Sequence, residues 1–297
     1  MVQQKTIGGR VFDVFNYIFL TLLAIVTLYP MVYVLFASVS NPTLFKMHQF
    51  VVLWKPLGFQ VDTYKLVFKN PMIVRGFLNT LLYMTAGTCI SMILSFLGAY
   101  ALSRKGYSLK RFFTFLIMFT MYFSGGLVPT FLWIMQMGMI DTIWAILLPN
   151  ALSTYNMIVM RTAFDAVPPS LEESAKIDGA NDFTILFRIM LPLCIPTIAV
   201  VGLYYAVGRW NEWFNAVIYL RTRTRFPLQL ILREILITGS AESMAASAAA
   251  GSAEEMTAVR ELLKYAAIIV TTVPVLFIYP FIQKYFVQGM MIGAVKE

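Results

Sequence analysis

Five consecutive residues combine the side chains that bind a polar, ring-shaped ligand: Arg209, Trp210, Asn211, Glu212 and Trp213. The indole rings offer apolar faces, as carbohydrate rings require, while the amide and charged groups offer hydrogen bonds. The same residue types also serve as anchors where an apolar helix meets water, so a substrate path and a structural anchor both remain open. Arg209 and Glu212 are three residues apart, a spacing at which they can pair on one helix face.

The residues that enzymes and metal sites require are missing from the sequence. His48 is the only histidine, so the chain alone cannot assemble a multi-histidine metal site. No Gly-Lys pair occurs, which excludes the phosphate-binding loop of an ATPase, and the sequence contains neither G-x-S-x-G nor H-E-x-x-H. We therefore predict a non-enzymatic protein with no metal or cofactor of its own.

The composition is that of a protein embedded in lipid. Hydrophobic residues make up 59% and charged residues 13% of the 297 residues, and the mean hydropathy is +0.73, whereas soluble domains carry about 25% charged residues. Six windows between charged residues are each long enough for a spanning helix of about 20 residues. We predict an all-α transmembrane fold, one domain over 1–297, with helices at 14–37, 77–102, 112–135, 142–161, 192–214 and 265–283.

The net charge of +8 has two readings, nucleic-acid binding or basic residues that flank membrane spans. The six apolar windows favour the second, so we expect contact with membrane lipid and no nucleic acid. An even number of spans places both termini on one side. The basic turn at 103–111 indicates that this side is the cytoplasm, and we expect a multi-pass protein of a bacterial cell membrane.

Small and helix-breaking residues indicate how the spans pack. Small residues recur at every fourth position of the second predicted helix, at Gly87, Ser91, Ser95 and Ala99. This face predicts close helix packing, since small residues let backbones approach in lipid. The third and fourth predicted helices contain Gly125, Gly126, Pro129 and Pro149. Such breaks persist only where protein or water satisfies the released backbone groups.

A charged segment between the fourth and fifth predicted helices is too polar to span a bilayer. Ser170 and Glu173 have the S-x-x-E spacing of a capping box, which predicts the start of a short helix. Gly179 is suited to end that helix, and Asn181 or Asp182 can begin another. The segment is therefore predicted to form two short helices joined by a sharp bend.

This segment resembles the EAA loop of ABC importer permeases, in which Glu-Ala-Ala is followed by three residues, Gly, nine residues and Ile-x-Leu-Pro. The matching residues here are Glu173, Ser174, Ala175, Gly179, Ile189, Leu191 and Pro192. Ser174 replaces the first alanine of the pattern. Asp178, Ala180 and the C-terminal tail resemble the carbohydrate-uptake, maltose-type branch, and the link at 240–255 resembles its polysaccharide and uronic-oligosaccharide subgroup.

The resemblance implies a six-helix permease bundle with a cytoplasmic coupling-helix loop at 167–191, whose residues named above would dock on a partner ATPase. It also implies a second permease subunit, two ATP-binding subunits that hold ATP and Mg²⁺, and an external solute-binding protein. Together they would import an oligosaccharide by alternating access. The alternative is an ion-coupled secondary transporter acting without an ATPase, which would need ionisable residues near the bilayer centre.

Overall fold

The computed structural model describes residues 7–48, 52–104, 109–237 and 253–294, and the described side chains of the last range are those of 257–277. In these ranges the chain is helical and contains no strand. The helices are α1 (Ile7–Ser38), α2 (Pro42–Met47), α3 (Asp62–Lys69), α4 (Pro71–Ser103), α5 (Lys110–Tyr122), α6 (Leu127–Gln136), α7 (Trp144–Leu147), α8 (Thr154–Asp165), α9 (Pro169–Ile177), α10 (Asp182–Leu193), α11 (Ile195–Trp210), α12 (Phe214–Tyr219), α13 (Leu228–Ile237) and α14 (Ala253–Ala294).

Within the described residues, two helices are long and apolar enough to cross a membrane, α1 with 32 residues and α4 with 33. The count rises to four if each of two bent pairs forms one span. These pairs are α5 with α6, bent by 111°, and α10 with α11, bent by 89°. The predicted helices at 14–37 and 77–102 lie within α1 and α4, and the one at 265–283 lies within α14.

The third, fourth and fifth predicted helices differ in their bounds from the prediction, and the third and fourth are interrupted. The helix expected at 112–135 is divided into α5 and α6, because Gly126 adopts φ +85°, a conformation open to glycine. The helix expected at 142–161 is divided into α7 and α8 around Pro149. The helix expected at 192–214 is α11, which ends at Trp210. The breaks predicted from glycine and proline are thus confirmed.

Contacts divide the chain into two units. The first comprises Met1–Pro71 and Leu232–Val273, and the second comprises Met72–Ile231 and Pro274–Glu297. In the first unit, Ala37, Phe45, Leu53 and Leu262 form a buried cluster. In the second unit, the largest buried cluster joins the end of α4 to α8, α10 and α11.

The small-residue face of α4 lies inside the second unit. Gly87, Ser91, Ser95 and Ala99 are all buried, and the Ser95 hydroxyl is 2.7 Å from the hydroxyl of Tyr205 on α11. The prediction of close helix packing along this face is confirmed.

Candidate functional site

The predicted pair of short helices is present as α9 and α10. Gly179 follows α9 with φ +81°, and the Ala180 N–H donates to the Ala175 carbonyl at 2.9 Å, which is the longer hydrogen bond of a Schellman motif. Asn181 caps α10, because its Oδ1 accepts from the Thr184 N–H at 2.8 Å. The bend at Gly179 and the helix start at Asn181 are confirmed.

The beginning of α9 differs from the prediction. The capping box of Ser170 and Glu173 is wrong, since Pro168 occupies the cap position and Pro169 is the first helical residue. Proline suits this position because its φ is already helical and its missing N–H would have no partner in the helix. Glu173 is therefore not used in capping, and its side chain is exposed.

Residues 167–191 belong to the second unit, and one face of this segment is buried against the other helices of that unit. Ala175 of α9 is buried, and α10 buries Ile185, Leu186 and Met190 in the same cluster as Met160 and Phe164 of α8. Ile189 and Leu191 are half-buried against this cluster. A segment fixed in this way can move as one body when force is applied to its outer face.

The outer face of the segment combines polar and apolar side chains. The side chains of Glu173, Ser174 and Asp178 are exposed, as are Gly179 and Pro192. Three apolar side chains are exposed beside them: Leu171 at 42%, Phe183 at 66% and Ile177 at 86%. Sequence reasoning missed these three, although apolar residues in such a charged stretch were the available signal. An apolar patch with a polar rim is typical of a protein interaction surface.

A charged cluster joins the end of α4 to α9. Arg104, which follows α4, forms an ion pair with Glu172 of α9, and Lys176 Nζ donates to the same carboxylate at 2.8 Å. This hydrogen bond from the Lys176 ammonium to Glu172 raises the pKa of Lys176. The Arg104 guanidinium lies 4.6 Å from the centre of the Tyr100 ring. No local sequence pattern predicts this pair, because its members are 68 residues apart.

Arg209 of α11 is a structural residue that closes the break between α7 and α8. Its guanidinium donates to the carbonyls of Ile146, Leu147 and Asn150 at 2.6, 3.0 and 2.9 Å. These carbonyls lie where α7 ends before α8 begins, and helix ends leave such groups without helical partners. The side chain is buried, with 4% of its surface exposed.

The predicted pairing of Arg209 with Glu212 is wrong. No ion pair joins the two side chains within the described ranges, and Glu212 Oε1 instead accepts from the Asn215 N–H at 3.2 Å. Backbone carbonyls released by the α7–α8 break are the stronger competitors for a buried guanidinium, because each would otherwise lack a hydrogen bond.

The other members of the cluster at 209–213 divide between interior and surface. Trp210 is buried and meets the Phe77 ring edge-on at 6.0 Å. Asn211 and Trp213 are exposed, and Glu212 is half-buried. Of the five residues, Arg209 and Trp210 are buried, whereas Asn211, Glu212 and Trp213 have solvent-accessible side chains.

Asp141, which lies between α6 and α7, organises the loop that follows α12. Its Oδ1 accepts from the backbone N–H groups of Arg221 and Thr222 at 3.0 and 2.9 Å, and Arg225 lies 3.2 Å from its Oδ2. Hydrogen bonds, first from the Thr222 hydroxyl and then from the Thr222 N–H, lower the pKa of Asp141 to about 2. No cluster of three or more His, Cys, Asp or Glu side chains suited to a metal ion occurs in the part of the chain that the structure describes.

The chain is similar to two proteins of Bacillus subtilis over almost its whole length. The polygalacturonan/rhamnogalacturonan transport system permease protein YtcP of Bacillus subtilis (strain 168) is 39% identical over 290 residues, covering 97% of this chain and 99% of the relative. Protein LplC of the same organism is 36% identical over 292 residues, covering 98% and 97%. No protein-family model matches the chain.

A solved structure shares the fold. It is the crystal structure of a bacterial ABC transporter involved in the import of the acidic polysaccharide alginate, and one of its chains is 32% identical to this one. The TM-score is 0.87, with 96% of this chain and 100% of that chain covered. By whole-length identity and by fold, the chain belongs to the family of carbohydrate ABC transporter permeases.

Proposed function

We propose that this permease imports an oligosaccharide by alternating access and that residues 167–191 couple it to a separate ATPase. The complex would contain a second permease subunit, two ATP-binding subunits that hold ATP and Mg²⁺, and an external solute-binding protein. Membership of the family argues against the alternative of an ion-coupled secondary transporter. The described part of the chain supplies the coupling surface, and ATP hydrolysis belongs to the partner.

The observation that carries this proposal is the exposed apolar patch on a firmly attached segment. Ile177 and Phe183 lie on either side of the bend at Gly179 and are 86% and 66% exposed. Burying such side chains contributes about 1.5–3 kcal/mol each, before the entropy cost of association is subtracted, so this patch favours docking. Glu173 and Asp178 would add polar contacts at the rim, and the bend would allow close backbone approach.

The test is Gly179→Asp. A Cβ at Gly179 would meet nothing within 4 Å of its own chain, and φ is +81°. Aspartate tolerates this conformation better than most residues, so the variant should fold and enter the membrane. We expect it to lose copurification of the ATPase and substrate-stimulated uptake, because a charged side chain would stand in the docking surface.

Gly138→Asp is the matched control. Gly138 has φ +66°, and a Cβ there also meets nothing within 4 Å, but it follows α6 and is distant in sequence from the segment. We expect Gly138→Asp to retain the ATPase and uptake. Full uptake by Gly179→Asp would overturn the coupling role.

We further propose that the 167–191 segment and both termini face the cytoplasm of a bacterial cell. The support is the basic turn that joins the second and third predicted helices, since positive residues in short loops are retained on that side. When the permease is expressed without its ATPase, which would cover Ile177, a thiol-specific, membrane-impermeant reagent should label a cysteine placed at Ile177 only after the membrane is opened. Labelling from outside intact cells would contradict this orientation.

The substrate we propose is an oligosaccharide containing acidic sugars. The relative YtcP is named for polygalacturonan and rhamnogalacturonan, and the similar solved transporter imports an acidic polysaccharide. Arg221 and Arg223 are exposed in the loop that Asp141 organises, and positive side chains attract anionic ligands. Uptake by a deletion strain complemented with this chain should be greater for uronic than for neutral oligosaccharides, and the reverse order would refute the assignment.

Trp213 and Asn211 are the exposed residues through which this chain would contact the sugar. Trp213→Ala should reduce uptake while the ATPase still copurifies, because an indole face packs on a sugar ring. Trp54→Ala is a matched control, since Trp54 is 71% exposed and lies in the link between α2 and α3. Unchanged uptake by Trp213→Ala would contradict the sugar contact and would favour a role as a structural anchor.

A further inference from the structure

The end of α4 contacts both helices of the 167–191 segment. Arg104 forms its ion pair with Glu172 of α9, and the Tyr100 hydroxyl donates to Asp182 Oδ1 of α10 at 3.2 Å. The guanidinium over the Tyr100 ring joins the two contacts into one group. The side chains of Arg104 and Glu172 are only 18% and 19% exposed, so water competes for the pair less than for surface pairs.

The opposite half of α4 is attached to the loop at 221–228. Asn79 and Tyr83 donate hydrogen bonds of 2.7–3.0 Å to the backbone carbonyls at 224–226, and the Leu228 N–H donates to Thr80 at 2.8 Å. Between Tyr83 and the end of α4 the helix is unbroken, a distance of about 30 Å at 1.5 Å per residue. One rigid helix therefore connects the 167–191 segment with the 221–228 loop.

The covalent route out of the segment is less rigid than this helix. α10 contains a π-helical stretch, Leu186–Met190, and it meets α11 at a bend of 89°. Helices bend most easily where the regular hydrogen bonding is interrupted, as it is in a π-helical stretch. A displacement of α9 can therefore be absorbed at the bend before it moves α11, whereas α4 has no comparable break.

We propose that Arg104 is a positioning residue that, through Glu172, transmits displacement of the 167–191 segment along α4 to the 221–228 loop. This inference rests on the proposed docking of an ATPase on the segment. With the ion pair intact, α9 and α4 move together when the ATPase closes. Without it, the segment moves and α4 follows incompletely, so ATP hydrolysis continues while transport falls.

The test compares Arg104→Gln and Glu172→Gln with the charge exchange Arg104→Glu/Glu172→Arg in the reconstituted complex. Lys176→Gln is the matched control, because Lys176 pairs with the same carboxylate but lies on α9 itself and is 54% exposed. The measurements are ATPase copurification, ATP hydrolysis and substrate uptake, which give the ATP used per substrate imported.

We expect both single variants to retain the ATPase and its hydrolysis while uptake falls about tenfold, within the 5–150-fold range of coupling between sites. Charge exchange should restore most of the uptake, and Lys176→Gln should be close to wild type. Tyr83→Phe, at the far end of α4, should also raise the ATP used per substrate.

Three results would overturn the inference. The first is normal import by the single variants. The second is a charge-exchange variant that reaches the membrane and hydrolyses ATP but does not recover coupling; this result also decides the matter if a single variant fails to reach the membrane. The third is loss of ATPase copurification in Arg104→Gln, which would mean that the pair serves docking and not transmission. Failure of the proposed function itself is distinguishable, because Gly179→Asp would then retain both the ATPase and uptake.

Discussion

Gly87→Ala tests whether the hydrogen bonds of Arg209 on α11 require that residue 87 of α4 has no side chain. A Cβ at Gly87 would lie 2.9 Å from Nε and 3.2 Å from Cδ of Arg209, and 3.3 Å from Cδ2 of Leu147. Favourable contacts between heavy atoms lie at about 3.5–4.0 Å. Arg209 would have to withdraw by roughly 0.5–1 Å to restore that separation, and its three carbonyl hydrogen bonds would lengthen.

The magnitude follows from comparison with Gly202→Ala. Both glycines are in helix interiors, so both substitutions gain about 1 kcal/mol of helix propensity, which cancels in the difference. At Gly202 a Cβ meets only Met92, at 3.7 Å. Overpacking costs about 1–3 kcal/mol, and we expect Gly87→Ala to be less stable than Gly202→Ala by that amount.

The assay is the thermal unfolding of the two variants in the assembled, detergent-solubilised complex. With about 2.1 cal/mol/K of unfolding entropy per residue, a chain of 297 residues changes its Tm by roughly 1.6 °C per kcal/mol, so the expected difference in apparent Tm is roughly 2–5 °C. Equal Tm values would show that Arg209 is not confined between Gly87 and the carbonyls of the α7–α8 break, and the reasoning would be refuted.

Two further predictions concern polar contacts. The Ser153 N–H donates to the Tyr205 hydroxyl at 3.0 Å. Tyr205→Phe removes this acceptor and should lower the free energy of unfolding by about 1–3 kcal/mol. Tyr155→Phe, at a side chain that is 53% exposed, should leave the free energy of unfolding unchanged. The pKa of Asp141, lowered to about 2, means that its stabilisation is complete above about pH 4, the ordinary pKa, and is lost as pH falls towards 2. Asp141→Asn should therefore remove part of the stability loss measured between these pH values, and an unchanged pH profile would contradict the loop contacts.

The features that the sequence predicted are those set by local chemistry. The apolar windows predicted long helices, and the glycine and proline positions predicted the breaks. Gly179 and Asn181 predicted the bend, since a positive φ and a side-chain cap depend on one or two residues. The EAA spacing predicted the family, which the relatives confirm.

The features that the sequence did not predict depend on contacts distant in the chain. Arg209 was expected to pair with Glu212, three residues away, but carbonyls some 60 residues earlier are its partners. The sequence does not indicate that Glu172 is the partner of Arg104, because no local pattern distinguishes it from the adjacent Glu173. Only the packing of α9 against the end of α4 determines which one faces Arg104.

The most direct test of the central claim is site-specific cross-linking from residue 177, with Ile177 replaced by a photoreactive amino acid in membranes that contain the whole transporter. The same replacement at Phe59, which is 74% exposed, is the control. We predict that position 177 cross-links to the ATP-binding subunit, that ATP changes the yield, and that position 59 gives no such product. Cross-linking from position 177 to lipid alone, with the ATPase present, would contradict the account.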